Sequence, residues 1–188
     1  MVKVYYSDVS NVKDFYIFSN DFCLERKEYL GKITNSLRKK QSVMSWWLLQ
    51  EVIKDFGIKL EELTFELMQS GKWVEKDNKV YFSISHSKEI VAVCVSDDSP
   101  ISIDVEIIDD RMLSLAKRFN VLGDNIVGDI RVNFAKLWTE KECVIKEPSV
   151  NKFSNFTFLT KNGKSFYMSI GMRDKSVSKS QINFINIK

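Results

Sequence analysis

The stretch SPISIDVEI at residues 99–107 restricts the possible folds of this chain more than any other segment. Its isoleucine and valine residues alternate with serine, aspartate and glutamate, a pattern typical of a half-buried β-strand. Side chains two residues apart on a strand share a face, so Asp104 and Glu106 project together with Cα atoms about 7 Å apart. Like charges placed side by side are unfavourable, so this pair needs an explanation.

Two further strands are predicted just before this one. In VYFSIS, residues Val80, Phe82 and Ile84 fall on one face, and HSKE forms a turn. The apolar run IVAVCVS at 90–96 suits a strand buried on both faces, and SDDSP is a turn sequence. We therefore predict a meander of three consecutive strands over residues 79–107.

Helical patterns occupy three parts of the chain. Residues 21–56 are predicted to be helical, with Gly57 ending the helix, as are MLSLAKRF at 112–119 and RVNFAKLWTEKECVIKE at 131–147, which stops near Pro148. VLGDNIVGD, between the last two, is a predicted loop. LEELTFELMQSGK fits either a strand or a short helix. The remaining predicted strands are VKVYY, FYIF, FSNFTFLT, KSFYMSI and QINFINI.

Together these elements predict an α+β fold. The order strand, helix, strands recurs in both halves of the chain. This order suits two α+β lobes in a single compact unit, an N-terminal lobe at 1–99 and a C-terminal lobe at 100–188. With 188 residues the chain is long enough to bury a sizeable core.

Composition argues against several classes of protein. Hydrophobic residues make up 44% and charged residues 28%, as in ordinary globular domains, and a net charge of +3 is too small to predict a nucleic-acid or membrane surface. Three widely spaced cysteines predict neither a disulfide framework nor a zinc site. We find no apolar signal region, and the longest apolar run, IVAVCV, is too short to span a bilayer. We therefore expect a cytoplasmic protein.

The helix at 131–147 carries charged residues that fit the paired carboxylates. On a helical projection Glu142 borders an apolar arc, Lys146 lies just beyond it and Lys141 falls inside it. A lysine in such an arc either extends to solvent or faces a pocket that holds an anion, and Glu142 and Lys146 also fit an ordinary surface pair. Mg²⁺ is a natural partner for clustered carboxylates. The predicted arc consists of Phe134, Leu137, Trp138, Val144 and Ile145.

Three other features carry weaker signals. His86, the single histidine, ends a strand between two serines, where it is either structural or a phosphate-binding group. Cys143 lies in mid-helix with no evident base, so we reject a cysteine nucleophile. Basic residues in the N-terminal helical region form either a solvated face or a polyphosphate site. They are Arg26, Lys27, Lys32, Arg38, Lys39 and Lys40.

Four short motifs occur in order along the chain: GK at 71–72, FSISHS at 82–87, SIDVE at 102–106 and WTEKECVIK at 138–146. They resemble the motifs GKP, FNISHS, GIDIE and W(S/T)xKE(S/A)xxK of the Sfp-type 4′-phosphopantetheinyl transferases. The likeness is weaker over Arg38 and over LAKRF at 115–119. The resemblance implies a pseudo-two-fold pair of similar α+β lobes with coenzyme A between them.

The resemblance also implies an activity: transfer of the 4′-phosphopantetheine arm of coenzyme A to a serine of an apo acyl or peptidyl carrier protein, with release of 3′,5′-ADP. Asp104, Glu106 and Glu142 match the acidic residues that hold Mg²⁺ against the coenzyme pyrophosphate. Glu142, directly or through a metal-bound water, would deprotonate the serine, and Lys146 would neutralise the transferring phosphate or the leaving group. The residues that match coenzyme A contacts are Lys72, Ser85, His86, Lys141 and Arg38.

The sequence departs from the family motifs at four positions. Trp73 stands in place of the usual proline, Ser83 in place of asparagine, and Cys143 in place of serine or alanine. Ser102 replaces a glycine, and this change bears most on the site because a glycine permits close approach of the backbone.

Two other functions remain open at this point. One is a non-catalytic relative that binds coenzyme A or a carrier protein, and the other is a Mg²⁺-dependent phosphodiesterase that uses the acids and the basic residues. A carrier protein of the fatty-acid, polyketide or nonribosomal-peptide type would fit the motifs equally well. We expect a monomer that binds neither nucleic acid nor membranes.

Overall fold

The computed structural model describes residues 1–119 and 128–187. Over these residues the fold consists of two larger sheets, a two-stranded ribbon and four α-helices. The strands are β1 (Val2–Asp8), β2 (Phe65–Leu67), β3 (Trp73–Glu75), β4 (Tyr81–Ser87), β5 (Ile90–Ser96), β6 (Ile101–Ile107), β7 (Lys152–Leu159), β8 (Ser165–Met172) and β9 (Ile182–Phe184). The helices are α1 (Leu24–Gly31), α2 (Ser36–Lys54), α3 (Asp110–Arg118) and α4 (Ile130–Lys146).

The first sheet has the strand order β4-β5-β1-β9. Strand β5 is buried along its whole length, as its apolar sequence predicts. It pairs antiparallel with both β4 and β1, and β9 pairs parallel with β1. Helix α2 packs on this sheet and contributes several fully buried side chains to the core, among them Trp46.

The second sheet has the order β6-β8-β7. The predicted three-strand meander is therefore wrong in its last strand: β4 and β5 form a hairpin, but β6 pairs with β8. The edge of β5 that β6 would need is occupied by β1, so β6 begins a new sheet. Helix α4 packs on β6 and β8, and α3 packs against α4.

Strand β6 is more deeply buried than its alternating sequence predicts. Ser102 and Asp104, on its polar face, are buried along with the isoleucine and valine residues of the other face. The reason is that β6 also contacts β4, the neighbouring edge strand of the first sheet, and helix α4. We call the contact between β4 and β6 the seam, because it is where the two sheets meet.

The predicted helical region at 21–56 consists of two helices. The chain breaks between α1 and α2, where the Asn35 side chain accepts the main-chain N–H of Arg38 at 2.9 Å and caps α2. Helix α2 ends at Lys54, and Gly57 follows with a φ of 71°, a left-handed conformation that favours glycine. The helices predicted at 112–119 and 131–147 are confirmed as α3 and α4.

The segment FYIF does not form the predicted strand. Residues Tyr16–Ser19 form a 3₁₀ helix, in which Phe15 stacks on Tyr16 and Phe18 packs edge-on against Trp47 of α2. Consecutive apolar residues without alternation do not specify a strand face, and packing on α2 decides the conformation. LEELTFELMQSGK contains both alternatives, a 3₁₀ helix at Leu60–Glu62 and strand β2.

The predicted C-terminal strands are confirmed as β7, β8 and β9. The predicted loop VLGDNIVGD lies mostly outside the described residues. The structure confirms a mixed α+β fold, whereas the two similar lobes and the boundary between residues 99 and 100 stay predictions. No helix within 1–119 and 128–187 has the length and hydrophobicity needed to cross a membrane.

Candidate active site

A cleft of about 440 Å³ lies where α1, α2, β4 and the segment entering β3 face β6 and the end of α4. Five of the site residues that the family motifs imply line it, although they are far apart in the sequence. Concave sites formed by distant polar residues are typical binding sites. These five residues are Lys72, Ser85, His86, Asp104 and Lys146.

The seam holds both carboxylates of β6 by the same arrangement. Ser85 Oγ donates a hydrogen bond to Asp104 Oδ1 at 2.7 Å, and Ser87 Oγ donates one to Glu106 Oε2 at 2.7 Å. Each serine hydroxyl also accepts the main-chain N–H of the β6 residue that follows the carboxylate. Ser85, which the family motif assigns to coenzyme binding, therefore contacts Asp104 through its hydroxyl group.

Lys146 forms an ion pair with Asp104 at the same oxygen that Ser85 contacts. Its Nζ lies 2.6 Å from Asp104 Oδ1 and 3.0 Å from the main-chain oxygen of Ile103. Asp104 Oδ2 is buried and has no hydrogen-bond partner among the described residues. A buried polar atom without a partner is unfavourable, so this oxygen is available to a ligand.

Glu106 lies in a less balanced environment. Burial and the neighbouring charge of Asp104 raise its pKa, whereas the hydrogen bond from Ser87 and the guanidinium of Arg111, 2.9 Å away, lower it. The net effect is a pKa above the usual value of a glutamate. A carboxylate that is buried beside a second carboxylate gains from a bound cation.

The pair Asp104 and Glu106 fits Mg²⁺, because this ion is usually bound by one or two carboxylates together with substrate phosphates and water. The partnerless Oδ2 of Asp104 is the structural observation that supports this fit. Within the described parts of the chain, no three His, Cys, Asp or Glu side chains lie close enough to share a metal ion. The structure therefore does not gather Glu142 with the other two acids, and the site with three carboxylates stays a prediction.

Lys72 lies in the cleft but is held by α4. Its Nζ donates to the main-chain oxygen of Lys146 at 3.0 Å and to Glu147 Oε2 at 3.1 Å. The hydrogen bonds from Lys72 and Ser149 contribute to lowering the pKa of Glu147, against the opposing effect of burial. An anionic ligand of Lys72 has to compete with Glu147.

His86 lines the cleft, whereas Arg38 is not among the lining residues. His86 is exposed within the cleft, yet the surrounding protein desolvates its ring and thereby lowers its pKa, with further lowering by the positive charges of Lys146 and Arg38. Arg38 itself is exposed on the first turn of α2. A neutral imidazole flanked by two cations is suited to a phosphate ligand, which would favour its protonation.

The buried face of α4 differs from the predicted apolar arc. Small residues, Ala135, Thr139 and Cys143, face the sheet, and Thr139 Oγ1 lies 2.6 Å from Ser169 Oγ of β8. Phe134 of the predicted arc is buried as predicted, in a cluster with residues of α3. Close packing of the helix on the sheet selects small side chains there and leaves other apolar ones exposed. The exposed members of the predicted arc are Leu137, Val144 and Ile145.

Two further residues of α4 that the sequence singles out are not among the residues lining the cleft. Lys141 is exposed and places Nζ 5.8 Å from the ring centroid of Trp138, and it is not among the residues lining the cleft. Burial raises the pKa of the Cys143 thiol to about 12. The thiol is therefore unreactive at neutral pH, in agreement with its rejection as a nucleophile.

Arg26 is a candidate binding residue that the sequence treats only as one of several basic residues. It is 3% exposed and lines the cleft. Its guanidinium stacks on Trp46, with Cζ 4.4 Å from the ring centroid, and its Nη2 donates to the main-chain oxygen and the hydroxyl of Ser42. Burial lowers its pKa to about 10. No carboxylate in the described residues pairs with it, so the site carries a buried, uncompensated positive charge.

Trp73, which stands where the family has proline, packs beside Arg26. Its ring centroid lies 5.3 Å from the Arg26 guanidinium, and its indole Nε1 is buried without a partner in the described part of the chain. Arg26 Nε is likewise without a partner within the described residues. We call the part of the cleft formed by Arg26, Tyr29, Ser42 and Trp73 the arginine end, and the part formed by Ser85, Asp104 and Lys146 the carboxylate end.

Ser102 replaces the glycine of the family motif, and a glycine on the paired strand β8 makes room for it. It pairs with Gly171 across β6 and β8, and a Cβ on Gly171 would lie 2.8 Å from Ser102 Oγ. The glycine that the motif lacks on β6 is therefore offset by one opposite it on β8.

The chain is similar to a curated relative, the 4′-phosphopantetheinyl transferase psf-1 of Bacillus pumilus, with 27% identity over 146 residues. The aligned region covers 73% of this chain and 60% of the relative, so the chain spans about three fifths of that protein's length. No family model matches the chain. This distant similarity supports the phosphopantetheinyl transferase family, in agreement with the motifs that line the cleft.

Proposed function

We propose that this protein is an Sfp-type enzyme that transfers the 4′-phosphopantetheine arm of coenzyme A to a serine hydroxyl of an apo acyl or peptidyl carrier protein. The observation that carries the proposal is the convergence of Lys72, His86, Asp104 and Lys146 on one cleft. The similarity to a phosphopantetheinyl transferase supports the same class of reaction.

In this proposal both ends of the cleft bind the coenzyme. The arginine end holds a guanidinium without a paired acid in the described residues, which suits an anionic group. Two buried N–H groups there, of Arg26 and Trp73, also have no partner among those residues. His86 lines the cleft, and the positive charge of Arg38 acts on it. Because the cleft of about 440 Å³ is large enough for a sizeable ligand, the pyrophosphate can reach the carboxylate end.

The reaction itself requires little covalent chemistry from the protein. The serine oxygen forms a bond to the phosphorus of the pantetheine phosphate, while the bond from that phosphorus to the 3′,5′-ADP oxygen breaks and its electron pair leaves with 3′,5′-ADP. We propose Glu142 as the group that accepts the serine proton. Mg²⁺ held by Asp104 and Glu106 would supply charge neutralisation at the pyrophosphate.

Lys146 supplies positive charge at the same place from the protein itself. Its ammonium group lies at the cleft wall, 2.6 Å from Asp104. Negative charge develops on the leaving oxygen in the transition state, and a fixed ammonium stabilises it there more than in the ground state. Lys146 is therefore expected to act on turnover more than on binding.

One observation favours a second candidate function. In the described residues Glu142 does not join the other acids in a metal cluster. A protein that binds coenzyme A or a carrier protein without transferring the arm would not need that arrangement.

The decisive experiment mixes the protein, MgCl₂, coenzyme A and a panel of apo carrier proteins of the fatty-acid, polyketide and nonribosomal-peptide types. Intact-mass spectrometry of each carrier protein should show the addition of one phosphopantetheine group, and chelation of Mg²⁺ should prevent it. Coenzyme binding by calorimetry without any mass increase would instead support the second candidate.

Lys146→Ala tests the mechanism. We expect kcat to fall by at least about 10²-fold with a much smaller change in KM, because the lysine acts on developing charge. Lys136→Ala, an exposed lysine of the same helix, is the matched control and should leave both constants unchanged. An effect of Lys146→Ala confined to KM would contradict this role.

A further inference from the structure

We propose that Ser85 and Ser87 form a clamp of two equivalent units that positions Asp104 and Glu106 for a divalent cation. Ser87 is then a positioning residue of the site. The inference rests on the proposed function in one respect, the use of these two carboxylates as cation ligands. It assigns a role to Ser87, which does not line the cleft and which the sequence does not single out as a site residue.

The first unit of the clamp is built around Ser85. Its hydroxyl oxygen accepts the main-chain N–H of Val105 at 3.2 Å and donates its proton to Asp104 Oδ1 at 2.7 Å. The side chain is 6% exposed. Its direct contacts are therefore within the protein, with a strand amide and a carboxylate.

The second unit repeats the first, two residues further along both strands. Ser87 accepts the main-chain N–H of Ile107 at 3.1 Å and donates to Glu106 Oε2 at 2.7 Å. Ser87 is also 6% exposed. Because both strands advance by two residues from one unit to the next, β4 and β6 run in the same direction at the seam, and the two serines share a face of β4.

The direction of each hydrogen bond follows from the chemistry of a hydroxyl group. A serine has one proton to donate and lone pairs to accept with. An N–H can only donate, so it takes up a lone pair of the serine oxygen and leaves the proton free for the carboxylate. The β6 backbone thus orients the serine, and the serine orients the acid.

The position of β6 explains why serine serves here. Its main-chain hydrogen bonds to β8 occupy one side of the strand, and on the other side it faces β4, whose main chain pairs with β5. N–H groups of a buried strand edge need acceptors. Ser85 and Ser87 supply them, so the same two side chains join the sheets and fix the acids.

The clamp leaves specific oxygens available. At Asp104 both the serine and Lys146 contact Oδ1, whereas Oδ2 is buried and has no hydrogen-bond partner within the described residues. At Glu106 the serine and Arg111 both contact Oε2. Holding one oxygen of each carboxylate fixes the direction in which the other oxygen can bind a cation, which is how outer contacts tune a metal site.

The test compares Ser87→Ala and Ser87→Cys, which keeps the size of the side chain but donates weakly, with wild type. Mg²⁺ affinity is measured by isothermal titration calorimetry on the protein–coenzyme A complex. We expect about a tenfold loss of affinity in both variants, the lower part of the range for an outer contact of a metal ligand. Ser7→Ala is the matched control: Ser7 is a buried strand serine of the first sheet that donates to the main-chain oxygen of Ile185 at 2.7 Å.

A double-mutant cycle with Glu106→Gln separates positioning from general stability. If Ser87 acts through Glu106, Ser87→Ala should change Mg²⁺ affinity in the wild-type background and have no further effect in the Glu106→Gln background. In the metal-free protein, the two substitutions should shift the urea midpoint by less together than the sum of their separate shifts. Ser7→Ala should lower the urea midpoint and leave the Mg²⁺ affinity unchanged.

The outcomes are distinct. Ser87 variants with Mg²⁺ affinity within twofold of wild type, or an effect of Ser87→Ala that persists undiminished in Glu106→Gln, would overturn the clamp while leaving the proposed transfer reaction intact. A wild-type coenzyme complex that binds no Mg²⁺ would overturn the cation site and, with it, this inference. If Ser87→Ala does not fold, Ser87→Cys and Glu106→Gln carry the same comparison.

Discussion

The two ends of the cleft handle buried charge in opposite ways. At the carboxylate end Asp104 accepts a hydrogen bond from Ser85 and pairs with Lys146, and one of its two oxygens has no partner among the described residues. At the arginine end Arg26 is stacked among aromatic rings and hydrogen-bonded to neutral groups, with no acid beside it in the described residues. The free protein therefore has a balanced end and an unbalanced end.

This difference bears on how a ligand is recognised. Removing one partner from a compensated pair leaves the other charge buried and unpaired, which is strongly destabilising. Removing an uncompensated charge leaves no such partner behind. Substitutions at the carboxylate end should therefore affect both fold and function, whereas substitutions at the arginine end should affect ligand affinity with little loss of stability.

The largest effect is expected for Asp104→Asn, which keeps the shape of the side chain and removes its charge. Turnover should fall by at least about 10²-fold, the usual range for loss of one electrostatic contact in an active site. The rate is measured from the mass increase of the carrier protein. Stability is measured by thermal unfolding, and Tm should fall because Lys146 has lost its ion-pair partner. Wild-type turnover in this variant would contradict the proposed role of the carboxylate end.

A smaller effect is expected for Arg26→Gln. Hydrogen bonds to a charged group contribute about 1.5–3 kcal/mol, so coenzyme A affinity should fall by about 10- to 100-fold, as measured by calorimetry. Tm should remain equal or rise, because no acid loses its partner. Lys27→Gln, on an exposed neighbour in the same helix, is the control. Unchanged coenzyme affinity would show that the arginine end is structural.

Glu147→Gln should act in the opposite direction. Glu147 holds Lys72 at 3.1 Å in the free protein, and its charge competes with any anion for this lysine. Since partly exposed ion pairs contribute about 1 kcal/mol or less, coenzyme A should bind up to about fivefold more tightly to the variant. Glu61→Gln, at an exposed site, should leave the affinity unchanged. Weaker binding by Glu147→Gln would mean that Glu147 itself supports the site.

The smallest effect concerns His86, which lines the cleft but belongs to neither end as defined above. Desolvation and the charges of Lys146 and Arg38 hold its pKa below the usual value of 6.5. A bound phosphate should raise this pKa, so coenzyme affinity should increase as pH falls through it. The chain has a single histidine, so one NMR signal reports the titration with and without coenzyme A. A pKa that coenzyme A leaves unchanged would place His86 away from the phosphates.

The parts of the site that were predictable from sequence are those carried by local patterns. Strands β4, β5 and β6 follow from alternation and apolar runs, and helix α4 follows from its pattern and the proline after it. The motifs within them supplied the residues of the carboxylate end. The pairing of β6 with β8 was not predictable, because it depends on β1 already occupying the edge of β5.

The arginine end shows the same limit more clearly. The sequence does not distinguish Arg26 from the other basic residues, because the aromatic residues that bury it, Trp46 and Trp73, are far away in the sequence. On α4, hydrophobicity alone placed Ile145 in the core, although it is 61% exposed. There the close approach of the helix to its sheet, and not the size of the apolar side chains, decides which residues are buried.

Strand β9 has a consequence for the synthesis of the chain. It pairs with β1, the main-chain N–H of Ile185 donates to the oxygen of Tyr6, and Ile187 is buried in the core of the first sheet. During synthesis β1 therefore emerges early but keeps an open edge until residues 182–187 are available to pair with it. An open strand edge invites association with other chains, so the interval before β9 pairs with β1 is the period in which chaperones would protect this protein most.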